Sequence, residues 1–283
     1  MYSNGRSEEI IGEAIKRLNI PREDLVIMTK IFYHLDPVNQ PPIAQLMDKT
    51  AQSMVNRVGL SRKHIMNAVD ASIARLGTYI DVLQIHRLDR ECSQEEIMHA
   101  LNDVVASGKV RYLGASSMST WEFQKLQYIA DKNRWHKFIS MQNYWNLLHR
   151  EEEREMVPFC KDAGVGLIPW SALARGALAR PYNARGGLRD ENDKLLQNLV
   201  RGENADLSVD EIIIGRVEEI AKKRGVSMAI VSLAWVLKKG AWPITGLNSK
   251  KRIDEASDSV HFVLSDEEVS FLEEMYKPKP VGY

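Results

Sequence analysis

Apolar residues follow two alternating rhythms along this chain. Short, nearly continuous apolar runs at 25–31 (LVIMTKI), 79–86 (YIDVLQIH), 110–116 (VRYLGAS), 138–142 (FISMQ), 164–170 (GVGLIPW) and 241–246 (AWPITG) have the length of strands and are bounded by turn or cap residues. Unbroken apolar runs suit strands covered on both faces, as in parallel sheets. Between them, apolar positions recur at helical spacing. A first helix is predicted from Ser7, with Glu8 and Glu9 in its opening turn, where negative charge complements the helix dipole. Ser61 opens a second helix that Gly77 ends. Ser93 with Glu96 reads as a capping box for a third that runs to Gly108, and Ser119 caps a fourth. Further helices are predicted over 150–162, 211–224, 249–257 and 265–276. The segment 227–239 (SMAIVSLAWVLKK) is apolar around most of its circumference, which predicts a buried helix.

Steady strand–helix alternation predicts an α/β fold with a parallel sheet. Units of roughly 25–35 residues fit a (β/α) barrel, and no composition break divides 1–283, so a single domain is expected. Six strands are recognisable, against eight in a closed barrel. Either two lie in the irregular stretches 32–60 and 175–207, or the chain lacks the front of its barrel; the second reading is preferred. The first stretch carries Pro41–Pro42 and the second Gly186–Gly187, and loops of that length are commonly lids.

Charge changes the picture mainly by exclusion. Thirty-eight basic residues balance 38 acidic ones, without the basic excess of a nucleic-acid binder. No apolar run approaches membrane-spanning length, and the polar start MYSNGRSEE has no secretory character. Two cysteines cannot make a disulfide framework, so a reducing, cytoplasmic setting is expected. No GxGxxG follows a strand. His34, His64, His99, His136, His149 and His261 are scattered, so no metal site is expected. EEERE at 151–155 reads as a helix face.

The segments YSNGRSEEIIGEAI, VIMTK, DVLQIHRLD, GKVRYLGASS, ISMQNYWNLL, LIPWSALARGAL and PITGLNSKKRIDEA resemble, in order and spacing, those of the aldo-keto reductase family. They are most similar to its branch of aryl-alcohol dehydrogenases and versiconal-acetate-type reductases. The resemblance implies a (β/α)8 TIM barrel. It also implies that a hairpin, two strands and an Asp that precede the tyrosine segment in the family are absent, leaving about six of eight strands.

From the same resemblance come the site residues. The family transfers hydride from NADPH to a carbonyl, with a proton delivered to the oxygen. That assigns proton donation to Tyr2, the ammonium that lowers its pKa to Lys30, and the orienting imidazole to His86. Ser116, with Ser117 in place of the usual Asn, and Gln142 are expected on the nicotinamide carboxamide, and Trp170 on its ring. Ser171, Leu173, Arg175 and Gly176 are expected at the pyrophosphate, although Ala172 stands where Pro is common. From Gly246 the chain enters a short helix whose N-terminus suits phosphate. Ser249, Lys250 and Arg252 would meet the 2′-phosphate and Glu255 the adenine, with Ala256 replacing the usual Asn. Lys30, deprived of its carboxylate, should have a lowered pKa.

The expected function is therefore NADPH-dependent reduction of an aldehyde or ketone to an alcohol, impaired by the truncation. The alternative is a non-redox protein of the same fold, either a lyase or isomerase or a cofactor-binding regulatory subunit. The stretches 32–60 and 175–207 are expected to form the substrate's walls, and Phe32, Tyr33, Tyr144 and Trp145 suggest an aryl or polyketide-like carbonyl compound. Open barrel edges would favour self-association. No nucleic acid or membrane partner is expected.

Overall fold

The computed structural model describes residues 2–36, 55–184 and 207–281. The expected features at Pro41–Pro42 and Gly186–Gly187 lie outside the described residues. The chain, expected as one domain, divides into two compact units, Met1–Met141 and Gln142–Tyr283.

The first unit alternates strand and helix as its sequence rhythm requires. Helix α1 (Arg6–Leu18) precedes β1 (Met28–Ile31), α2 (Arg62–Leu76), β2 (Ile80–Ile85), α3 (Gln94–Ala106), β3 (Val110–Ser116), α4 (Thr120–Asn133) and β4 (Phe138–Gln142). The strands lie in the order β1-β2-β3-β4. β1 runs parallel to β2 with Lys30 opposite Gln84 and Ile31 opposite Ile85, and β2 runs parallel to β3 with Gln84 opposite Gly114. Ile80, Leu83 and Ile85 of β2 are fully buried, as are Ile65 and Val69 of α2 and Ile97, Met98 and Leu101 of α3. Helices therefore cover the sheet, and that burial is the main stabilising term.

Local signals set most boundaries. Ser61 accepts from the His64 N–H at 3.3 Å, and Gly77 ends α2 in the left-handed region at φ 68°. Ser93 caps α3 through the Glu96 N–H at 3.1 Å. The expected reciprocal box does not form, because the Glu96 carboxylate accepts from the Arg62 N–H at 2.9 Å instead. α1 starts one residue before Ser7, behind Gly5 at φ 93°, without a side-chain cap. Gly12 admits the close approach of α1 to α2: a Cβ there would lie 2.6 Å from the Leu76 carbonyl oxygen.

Gly114 is equally constrained. A Cβ would meet Ser140 Oγ at 2.7 Å and Gln84 Cγ at 2.8 Å. We expect Gly114→Ala to destabilise by about 1–3 kcal/mol through overpacking, read as a lower urea midpoint with unchanged m-value. An unchanged midpoint would show that this layer can relax.

The second unit holds α5 (Met156–Asp162), β5 (Gly166–Leu167), α6 (Leu207–Arg224), α7 (Met228–Lys238), α8 (Lys250–Ser259) and α9 (Asp266–Glu273). As its composition predicts, α7 is buried from Met228 through Val236. Its fully buried Trp235 meets the fully buried Trp145 edge-on at 5.8 Å. Both indoles donate to carboxylates, Trp235 to Glu273 at 2.8 Å and Trp145 to Glu153 at 3.0 Å. Arg150 joins the same two acids at 2.8 and 2.7 Å. Burial alone would raise the Glu153 pKa, but Arg150 and Trp145 hold it below the usual range.

Two expectations are corrected here. The run 241–246 is not a strand. Trp242 and Ile244 donate to Leu167 O and Pro169 O at 2.9 Å each, but Pro169 has no N–H to complete a ladder; β5 shrinks to two residues for the same reason. EEERE is not one helix face: Glu151–Glu153 form a 3₁₀ turn, and Glu151 and Glu152 are buried. Glu151 accepts from the Tyr276 hydroxyl at 2.6 Å and the Lys279 N–H at 2.8 Å, and Glu152 from Asn143 Nδ2 at 2.8 Å.

Candidate active site

In the first unit the chain brings Tyr2, Lys30 and His86 together. Tyr2 opens a 3₁₀ turn, Tyr2–Gly5, whose Ser3 and Asn4 are left-handed at φ 47° and 50°. The turn leads into α1, and α1 is tied down by Glu8. This buried carboxylate accepts from Thr29 Oγ1 of β1 at 2.5 Å and from Arg75 Nε of α2 at 2.6 Å. Lys30 is the third residue of β1 and His86 follows β2, with the His86 N–H donating to Ile31 O at 2.9 Å. Parallel pairing thus delivers both to the same end of adjacent strands. Lys30 Nζ donates to the Tyr2 hydroxyl at 3.2 Å. The Tyr2 and His86 rings lie 6.0 Å apart, and Tyr33 packs edge-on against His86 at 4.8 Å.

Burial and the Arg87 guanidinium both act on this group. Lys30 is lowered to about 8, first by desolvation and then by Arg87, and no carboxylate pairs with it among the described residues. His86 is lowered to about 2, by desolvation, then Lys30, then Arg87, so it is neutral at physiological pH. Its Nδ1 is buried without a partner. Tyr2 departs from expectation. Its pKa is raised, because desolvation of the phenolate outweighs the opposing pull of Arg87; the residue is 51% exposed overall, but its hydroxyl end is crowded. The buried side-chain atoms Gln84 Oε1 and Nε2 and Ser140 Oγ also lack partners. A polar row without partners inside a sheet calls for water or ligand.

The remaining expected contacts fall in both units. Ser116 ends β3 and Ser117 follows it; both are buried, and Ser117 is left-handed at φ 39°. In the second unit Gln142 is buried at the end of β4. Trp170 donates its N–H to Asn143 O at 2.8 Å and stacks at 4.7 Å on Tyr144. Ser171 (φ 53°) before Leu173, and Ala174 (φ 45°), Arg175 (φ 56°) and Gly176 (φ 103°) directly after it, are left-handed. The Ala174 and Gly176 N–H groups close this turn on Ser171 O and Leu173 O at 2.8 Å each. Past Gly246, Ser249 caps α8 through the Arg252 N–H at 3.4 Å. The exposed Arg252 guanidinium donates to Asn248 Oδ1 at 2.8 Å, and Lys250 pairs with Asp254 at 2.7 Å. Glu255 lies on the same helix. Neutral donors at a strand end and a cationic helix start are, each by itself, of a kind that meets amide or anionic groups.

Trp145, counted among the aromatics that suggest an aryl substrate, is not open to one, since it is fully buried in the second unit's core. Phe32 is nearly so, packing at 5.2 Å on Tyr33. Arg87, which depresses Lys30 and His86, was not among the expected site residues; the only signal was its place beside His86.

Comparison with known proteins shows the family and the fold. A family model described as the aldo/keto reductase family matches residues 1–277. Versiconal hemiacetal acetate reductase of Aspergillus parasiticus is 58% identical over 99% of this chain and 82% of its own length. A protein of Schizosaccharomyces pombe named as an aryl-alcohol dehydrogenase is 50% identical over 99% of this chain and 87% of its own. The fold matches the crystal structure of a thermostable aldo-keto reductase, Tm1743, in complex with the inhibitor epalrestat. The TM-score is 0.69 at 24% identity, covering 95% of this chain and 77% of that one. The chain therefore belongs to the aldo/keto reductase family, with that family's TIM-barrel type of fold.

Proposed function

We propose that this chain reduces an aldehyde or ketone to the alcohol with NADPH, Tyr2 giving the proton. The observation that carries the reading is the 3.2 Å contact from Lys30 Nζ to the Tyr2 hydroxyl. The bound cofactor supplies the hydride. Because the ammonium donates to the phenol oxygen, the phenolic proton is left to point toward substrate. An alkoxide is far more basic than a phenolate, so Tyr2 remains a competent acid even with its raised pKa. Neutral His86 can donate from one ring nitrogen to the carbonyl oxygen and orient it. Lys30 then offsets the phenolate charge left behind, until solvent returns a proton.

Gln142, Ser116 and Ser117 are assigned to the carboxamide and Trp170 to the nicotinamide face. The left-handed run through Gly176 is assigned to the pyrophosphate, and Ser249, Lys250, Arg252 and Glu255 to the adenosine 2′-phosphate end. The relative named for versiconal hemiacetal acetate and the Tyr33 ring beside His86 favour an aryl or polyketide-like carbonyl substrate. We expect Arg252→Ala to raise KM for NADPH about tenfold, a loss of about 1.4 kcal/mol, and to leave KM for NADH unchanged. Equal losses with both cofactors would remove Arg252 from the 2′-phosphate.

The free thiols Cys92 and Cys160 suit a cytoplasmic setting; among the described residues no helix is long and apolar enough to cross a membrane. Among the described residues β1 ends the strand order, and next to it Val26 is 73% exposed. This edge is where a second copy would pair. Sedimentation should then show a concentration-dependent dimer that Val26→Lys abolishes; a monomer at all concentrations excludes it.

A further inference from the structure

A second polar cleft lies beside the proposed catalytic group, between α2 and the segment that continues β1. It has a volume of about 300 Å³, far above the roughly 30 Å³ that one water occupies. Neither Tyr2 nor His86 lines it, although Tyr33, which packs on His86, forms part of its wall. On the helix side His64, Asn67, Ala68, Ala71, Ser72 and Arg75 recur at helical spacing and face it together. Across from them stand Lys30 and His34, with Arg57 also on the wall.

Two features of this lining set it apart from an ordinary packing gap. The first is its charge: three cations and two imidazoles line it, and among the described lining residues there is no carboxylate. The second is a pair of buried imidazoles, one of them with a buried ring nitrogen that has no partner. His34 is 2% exposed and His64 7%; His64 Nε2 is buried with nothing to bond, and no hydrogen bond to the His34 ring is present among the described residues. Buried polar groups are ordinarily satisfied, so the unpartnered His64 nitrogen on the wall of this cleft calls for something that accepts from it. Of the other groups, Arg75 is engaged by Glu8 at 2.6 Å and Lys30 by Tyr2 at 3.2 Å, whereas Arg57 is exposed and available.

We propose that this cleft is a binding site for a small oxyanion, a carboxylate or a phosphate, held by N–H donors of His34 and His64 with the Arg57 guanidinium at its mouth. An anion there satisfies both rings at once and is attracted by a guanidinium suited to planar or tetrahedral oxyanions. The neighbouring charges fit the assignment. Each imidazole is pushed toward its neutral form, first by desolvation; Arg57 then acts on His34, and His34 on His64. Asp36 and Asp89 oppose this, and Asp89 already accepts from the Leu60 and Glu91 N–H groups at 2.8 and 3.2 Å. A bound anion reverses the balance, so binding is accompanied by proton uptake at the two rings.

Histidine-labelled full chain, followed by long-range proton–nitrogen spectra, tests this at constant ionic strength. Sodium acetate and inorganic phosphate are titrated separately against sodium chloride. The expected result is that the His34 and His64 ring signals move together and saturate with acetate, phosphate or both, but not with chloride. Saturation by only one of the two identifies the source. Arg57→Gln, at an exposed position, should weaken the saturating anion about tenfold, and His64→Gln should abolish saturation. Ring shifts that follow ionic strength alone, that chloride reproduces, or that Arg57→Gln leaves unaltered would overturn the proposal, as would rings that never move because water alone satisfies them.

Discussion

Tyr2→Phe will lower kcat for carbonyl reduction about 10²–10⁴-fold, the range of a removed general acid, while NADPH binding, read by fluorescence quenching, stays as in the parent. The phenol and its substitute differ by one hydroxyl, the atom that Lys30 Nζ meets at 3.2 Å, so packing of the ring on its neighbours is kept. A variant that retains more than about a tenth of the parent kcat would remove Tyr2 from proton donation. The pH profile separates Tyr2 from Lys30. Tyr2 keeps its proton to higher pH than a free phenol, because burial raises its pKa. Lys30, at about 8, loses its proton first, and with it the charge that stabilises the developing phenolate. Activity is therefore expected to be full below about pH 8 and to fall above it. Lys30→Arg should move that limb out of the accessible range, since a guanidinium stays charged past pH 12. A limb that stays put in this variant belongs to another group.

The core of this fold was legible because its signals are local. Strands 110–116 and 138–142 appear with the boundaries their apolar runs predict, and the Ser61, Ser93 and Ser227 caps sit where serine precedes a helical stripe. What failed depends on partners distant in sequence. Nothing near Glu96 reveals that its carboxylate goes to Arg62. Nothing within EEERE shows that Tyr276 and Lys279 will bury Glu151. The run 241–246 has strand composition, but its neighbour places Pro169 where a donor is needed. The Tyr2–Lys30 pairing was readable from family motifs, yet the sign of the Tyr2 shift was not. It follows from how tightly the hydroxyl is enclosed, a quantity that a linear sequence does not carry. The His34–His64 cleft was equally hidden, since 30 residues separate two histidines that read singly as scattered.

Acidification is expected to destabilise this protein well before its carboxylates titrate. His34, His64, His86 and His149 all have lowered pKa values, each chiefly through desolvation. His64 lies at about 4 and His86 at about 2, against 6.5 when free. Above pH 6.5 these rings are neutral in both folded and unfolded chains and contribute no pH dependence. Below it the unfolded chain binds protons that the folded chain refuses, so stability falls with pH, by about 1.4 kcal/mol per unit for each histidine. For His64 the loss runs from pH 6.5 to about 4 and amounts to about 3 kcal/mol; for His86 it continues to lower pH. Glu122, Glu151 and Glu153, whose ion pairs and hydrogen bonds prevail over the burial that would raise them, add their own loss only below pH 4.5. The interval from pH 6.5 to 4.5 therefore isolates the histidines. Urea midpoints across it should fall steeply in the parent and less steeply in His64→Gln, the two curves diverging as pH drops. Parallel curves would mean that His64 takes up its proton inside the folded protein as readily as outside it.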